Sequence, residues 1–106
     1  MLNSTVGTPI YMPPQILENI VGIGNNTYTS KCDIWSLGVI FYEMLTQACP
    51  WYCETVEGLY MKMKKQKLMI PSNLSEWSKN LIIKMLEFNE KKRMGWDELF
   101  SCVLGK

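Results

Sequence analysis

Residues 31–46 constrain this chain more than any other stretch, because Ile34, Trp35, Leu37, Val39, Ile40, Phe41, Met44 and Leu45 fall on every face of a 3.6-residue repeat. A helix with no polar face cannot lie on a surface, so the pattern predicts a central, buried helix on which the rest of the fold is assembled. Ser30 is placed to cap its start, and Asp33 brings negative charge to the first turn, where the helix dipole favours it. Gly38 lies mid-helix at a cost of about 1 kcal/mol in propensity, which points to close packing at that position.

The segments around this helix are shorter and two-faced. Pro13-Pro14 opens a brief apolar run through Ile16 and Leu17, as proline does in a first helical turn. Gly22, Gly24, Asn25 and Asn26 then mark a surface loop. Gly22-Ile23-Gly24 follows no strand and lacks a third glycine, so it is no phosphate cradle. Val56, Leu59, Tyr60 and Met63 recur at i, i+3, i+4 and i+7, with Lys62, Lys64, Lys65 and Lys67 on or beyond the wet face. After Pro71, Ser75 can cap a helix striped by Leu81, Ile82, Met85 and Leu86. A polar connection leads to a last helix with Trp96, Leu99, Phe100 and Val103 on one side. No segment alternates with period two. The expected fold is all-α, a single domain with a buried central helix surrounded by shorter amphipathic helices, since 106 residues leave no room for a second domain.

Eleven basic and ten acidic residues give a net charge of +1, which recommends neither nucleic acid nor an anionic membrane as partner. No apolar run approaches the roughly 18 residues of a membrane span, and Met1-Leu2-Asn3-Ser4 lacks the features of a signal peptide. The cysteines Cys32, Cys49, Cys53 and Cys102 read as reduced thiols in the cytosol or nucleus. With no histidine and only Cys49 and Cys53 close together, no zinc or other metal site is expected.

Four motifs then occur in a telling order. Gly7-Thr8-Pro9-Ile10-Tyr11-Met12-Pro13-Pro14-Gln15 resembles the end of the activation segment of eukaryotic Ser/Thr protein kinases, where a Gly-Thr-Pro-x-Tyr run precedes Ala-Pro-Glu. Asp33-Ile34-Trp35-Ser36-Leu37-Gly38-Val39 is similar to the signature of that family's central helix. Pro50-Trp51 looks like the Pro-Phe turn that follows it, and the run from Leu81 through Met85-Leu86 to Arg93 is similar to one near the domain's end. The Gly-Thr-Pro form implies Ser/Thr rather than Tyr specificity. The general pattern is nearest the calcium/calmodulin-dependent and autophagy-initiating groups without choosing a subfamily.

The resemblance assigns roles. It implies that Gly7, Thr8, Pro9, Ile10 and Tyr11 bind the protein substrate, forming the floor under the residue after the phospho-acceptor, and that Thr8 supports the catalytic aspartate. Ser4 and Thr5 become candidate phosphorylation sites. Asp33 becomes a buried carboxylate that accepts main-chain N–H bonds from the catalytic loop, with Trp35 and Gly38 in the core. Arg93 becomes the partner of the Ala-Pro-Glu glutamate, but here the chain departs from the family: that residue is Gln15, and the alanine is Pro13. A neutral amide can still accept from a guanidinium, yet the charge-assisted pair is lost, worth on the order of 1–2 kcal/mol.

Kinase chemistry needs a Gly-rich loop, a strand lysine, a catalytic Asp and Asn, and a metal-binding Asp to hold ATP and Mg2+. No Gly-x-Gly-x-x-Gly, His-Arg-Asp or Asp-Phe-Gly occurs in the sequence. The chain is therefore expected to be the C-terminal part of the catalytic domain, inactive alone and binding no cofactor, whose complete parent phosphorylates Ser/Thr hydroxyls of proteins. The competing expectation is an inert, kinase-like binding or regulatory module. The oligomeric state is left open by either.

Overall fold

A computed structural model describes residues 9–25 and 27–104 of the chain. Among these there are five helices and no strand: α1 (Pro14–Ile20), α2 (Ser30–Thr46), α3 (Val56–Lys65), α4 (Glu76–Met85) and α5 (Trp96–Val103). The all-α architecture is the one expected. Capping explains where the helices begin. Pro14 stands in the first turn of α1, and the Thr55 and Ser75 side chains each accept a main-chain N–H, from Gly58 and Ser78, at 3.1 Å. Thr29, rather than Ser30, caps α2, accepting from the Lys31 N–H at 3.3 Å while its hydroxyl donates to Glu90. Both residues have the chemistry of a cap, and the contact with Glu90 favours Thr29.

α2 is the axis of the molecule. One flank, through Trp35, Val39 and Tyr42, joins Leu17 of α1, Leu59, Tyr60 and Met63 of α3, and Ile82 in one buried cluster. At another flank, Ile34 meets Leu81, Met85, Met94 and Leu99. Gly38 is the point of closest approach to the end of α4, where a Cβ would lie 2.9 Å from the Met85 Cβ. A side chain there would force the two helices apart, which accounts for a glycine in mid-helix.

The central helix is buried on the flanks described above and open on another, where Leu37, Ile40 and Met44 are exposed, Met44 at 74 % of its surface. Spaced i, i+3 and i+7, they form one exposed stripe. Of the residues expected to bury α5, only Leu99 is fully inserted, while Phe100 and Val103 are exposed. α5 meets α2 and α4 mainly through Leu99, which packs with Ile34, Leu81 and Met85.

An uncovered apolar stripe of this length promotes association. The chain in isolation is expected to self-associate at concentrations on the order of 100 μM, and Ile40→Glu combined with Met44→Glu to return it to a monomer. Sedimentation velocity distinguishes the outcomes; a monodisperse unsubstituted monomer would show the stripe to be harmless.

Candidate functional site

Ser4, Thr5, Gly7 and Thr8 lie outside the described residues. Pro9, Ile10 and Tyr11 form a turn closed by the Met12 N–H donating to the Pro9 carbonyl at 3.0 Å. α2 holds this turn at two points. The Ser36 hydroxyl donates to the Tyr11 carbonyl at 2.7 Å, and the Tyr11 hydroxyl donates to Glu43 Oε1 at 2.7 Å. Ser36 and Glu43 are two helical turns apart on one face, so a single edge of α2 fixes both ends of the tyrosine. The hydrogen bond to Glu43, helped by lost solvation and by the Glu43 charge, moves the Tyr11 phenol above its ordinary pKa.

Immediately after the turn, α1 buries Gln15 against Arg93, 78 residues away, with Arg93 Nη2 donating to Gln15 Oε1 at 2.8 Å. Arg93 is 2 % exposed. Its Nε donates to the Glu87 carbonyl at 2.9 Å, Nη1 to the Lys31 carbonyl at 3.0 Å, and Nη2 also to the Phe88 carbonyl at 3.3 Å. The guanidinium carbon lies 5.0 Å from the centre of the Trp35 ring, within cation–π range. Burial pulls Arg93 below its ordinary pKa, with the Glu90 charge the largest opposing influence. Gln15 uses both ends of its amide, since Nε2 donates to the Phe88 carbonyl at 2.8 Å. The amide thus makes a bond to the Phe88 carbonyl that a carboxylate could not.

A second contact ties α1 to α3. The Tyr60 hydroxyl donates to Glu18 Oε2 at 2.7 Å, and the Tyr60 ring sits 5.8 Å from that of Phe88. Burial first, then the bond to Glu18 and its charge, push the Tyr60 phenol up to about 12. Sequence reasoning missed Glu18, Ser36 and Glu43 as holders of this region. The signal available was a tyrosine inside an apolar stripe, whose hydroxyl must find an acceptor when buried.

The Asp33 carboxylate is exposed and accepts from the Tyr28 hydroxyl nearby. Four residues before Leu37, it falls on the uncovered stripe of α2, which explains the exposure. Trp35 and Gly38 are buried in the core. Among the described residues no three His, Cys, Asp or Glu side chains converge to hold a metal ion, and no helix is long and apolar enough to cross a membrane.

Comparison with known proteins agrees with the motifs. The family model described as protein kinase domain matches residues 1–103. The chain is 35 % identical over 95 residues to the serine/threonine-protein kinase atg1 of Dictyostelium discoideum, covering 90 % of the chain and 13 % of that protein. It is 37 % identical over 91 residues to the serine/threonine-protein kinase YPK1 of Saccharomyces cerevisiae, covering 86 % and 12 %. Calcium-dependent protein kinase 11 of Arabidopsis thaliana is 36 % identical over 101 residues, covering 92 % and 19 %. The chain thus spans between 12 % and 19 % of the length of these relatives.

Proposed function

The chain belongs to the protein kinase domain family, and on that premise we propose that it is the substrate-side, C-terminal helical part of an ATP-dependent Ser/Thr kinase domain. The observation that carries the reading is the Gln15–Arg93 contact at 2.8 Å, which ties the segment resembling the activation-segment end to a residue near the end of the chain. Gly7, Thr8, Pro9, Ile10 and Tyr11 contribute the floor under the peptide, Thr8 steadies the catalytic aspartate, and Ser4 or Thr5 takes an activating phosphate. Mg-ATP, the catalytic base and the phosphoryl-transfer step belong to a longer polypeptide that completes the domain. The uncovered stripe of Asp33, Leu37, Ile40 and Met44 supports this, because it offers an acid and a run of apolar side chains to a missing neighbour.

The test has two arms. Calorimetry on the 106-residue chain is expected to detect no Mg-dependent ATP binding. Grafted in place of the matching 95 residues of the Dictyostelium atg1 kinase, the chain is expected to support Ser/Thr phosphorylation of a protein substrate. A micromolar nucleotide site in the isolated chain would overturn the first arm. A graft that folds and binds ATP but transfers no phosphate would favour the inert binding module.

A further inference from the structure

Arg93 cannot anchor α1 by charge pairing through the groups it bonds to, because its acceptors are the Gln15 amide oxygen and the carbonyls of Lys31, Glu87 and Phe88, all neutral. α1 nonetheless carries a carboxylate one turn after Gln15. Glu18 lies on the same face, three residues on, and accepts the 2.7 Å bond from Tyr60, 42 residues further along the chain. Tyr60 is only 5 % exposed, so its hydroxyl has little access to water and depends on this acceptor. The two contacts meet at Phe88: its ring packs on Tyr60, while its carbonyl receives both Gln15 and Arg93.

We propose that Glu18 and Tyr60 are positioning residues, a second tether that fixes α1 onto α3 where residue 15 supplies no charge. α1 has seven residues, well short of the ~12 at which an isolated helix becomes even marginally stable, so its placement depends on its tethers. The turn at Pro9–Met12 precedes α1 and is joined to it through Pro13 and Pro14, whose fixed φ angles couple the turn to the helix orientation. Loss of the Tyr60 hydroxyl or of the Glu18 acceptor therefore loosens the turn and α1 together, while α2 and α4 keep their packing. The consequence at a protein substrate rests on the functional reading above; the tether itself does not.

Amide hydrogen exchange on the full chain tests the tether without any catalysis. The reporters are the N–H groups of Leu17, Val21 and Ile23, which donate to Pro13, Leu17 and Glu18, with the Leu86 N–H at the end of α4 as control. Tyr60→Phe removes one hydroxyl, and α1 exchange is expected to accelerate about fivefold, the worth of one ordinary hydrogen bond, with Leu86 unchanged. Glu18→Ala should do the same, and Glu18→Gln, which keeps an acceptor, should restore most of the protection. Unchanged α1 exchange in Tyr60→Phe would overturn the proposal. So would parallel acceleration at Leu86, which would mark a general loss of stability, or a Glu18→Gln variant as fast as Glu18→Ala. None of these readouts involves phosphoryl transfer, so the graft experiment and this one fail independently.

Discussion

Trp35→Ala is expected to cost about 3–5 kcal/mol, the range for truncating a fully buried large aromatic. Trp35 has no exposed surface, stacks on Trp51 with ring centres 5.5 Å apart and planes at 11°, and carries the Arg93 guanidinium on its ring. Its removal opens a cavity where α2, Trp51 and Arg93 meet. Domains of ordinary stability have only about 5–15 kcal/mol in total, so most or all of the cooperative urea transition should disappear. Trp35→Phe is expected to be milder, about 1–2 kcal/mol. The smaller ring still leaves a gap, but the buried indole N–H finds no acceptor among the described residues, and its loss offsets part of the cost. The comparison is best made by urea denaturation in the Ile40→Glu, Met44→Glu background, which keeps association out of the transition. An alanine variant within about 1 kcal/mol of its parent would mean that the stacked pair is not the centre of the core.

Much of this was legible in the residues, and the limits have physical causes. Periodicity located α2 because a helix without a polar face is expected to be covered, but it could not say which of its faces the other helices of this chain would leave open, and Leu37, Ile40 and Met44 lie on that face. The same limit applies to α5, where a stripe of four apolar residues buries only Leu99 completely. The family resemblance brought Gln15 and Arg93 together although neither has a local partner in sequence. The Phe88 carbonyl that both residues share could not be foreseen, because main-chain acceptors carry no sequence signature. Ser36 and Glu43 were nearer to reach: seven residues apart on a predicted helix, they had to share a face. Glu18 and Tyr60 look like ordinary surface and core residues until the fold sets α1 against α3.

Arg93→Ala is expected to cost about 3 kcal/mol, because it strips hydrogen bonds from three partly buried carbonyls and the buried Gln15 amide and removes a cation from the Trp35 face. Gln15→Ala should cost less, about 1–2 kcal/mol, since it leaves Nη2 of Arg93 its bond to Phe88. Gln15→Glu is the informative change. A carboxylate would pair with the buried guanidinium, but it could not make the Nε2 bond to Phe88, and an oxygen in that place would face the carbonyl oxygen at about the present 2.8 Å. The net gain is therefore expected to stay under about 1 kcal/mol, less than charge pairing alone would give. Coupling should change more than stability does. Arg93→Ala in the Gln15→Glu background leaves a buried carboxylate without its cation, and should cost about 1–2 kcal/mol more than in the unsubstituted chain. A double-mutant cycle by urea denaturation measures that difference directly. A coupling below about 0.5 kcal/mol, the usual scatter between independent sites, would show that the 2.8 Å contact joins α1 to Arg93 without holding it there.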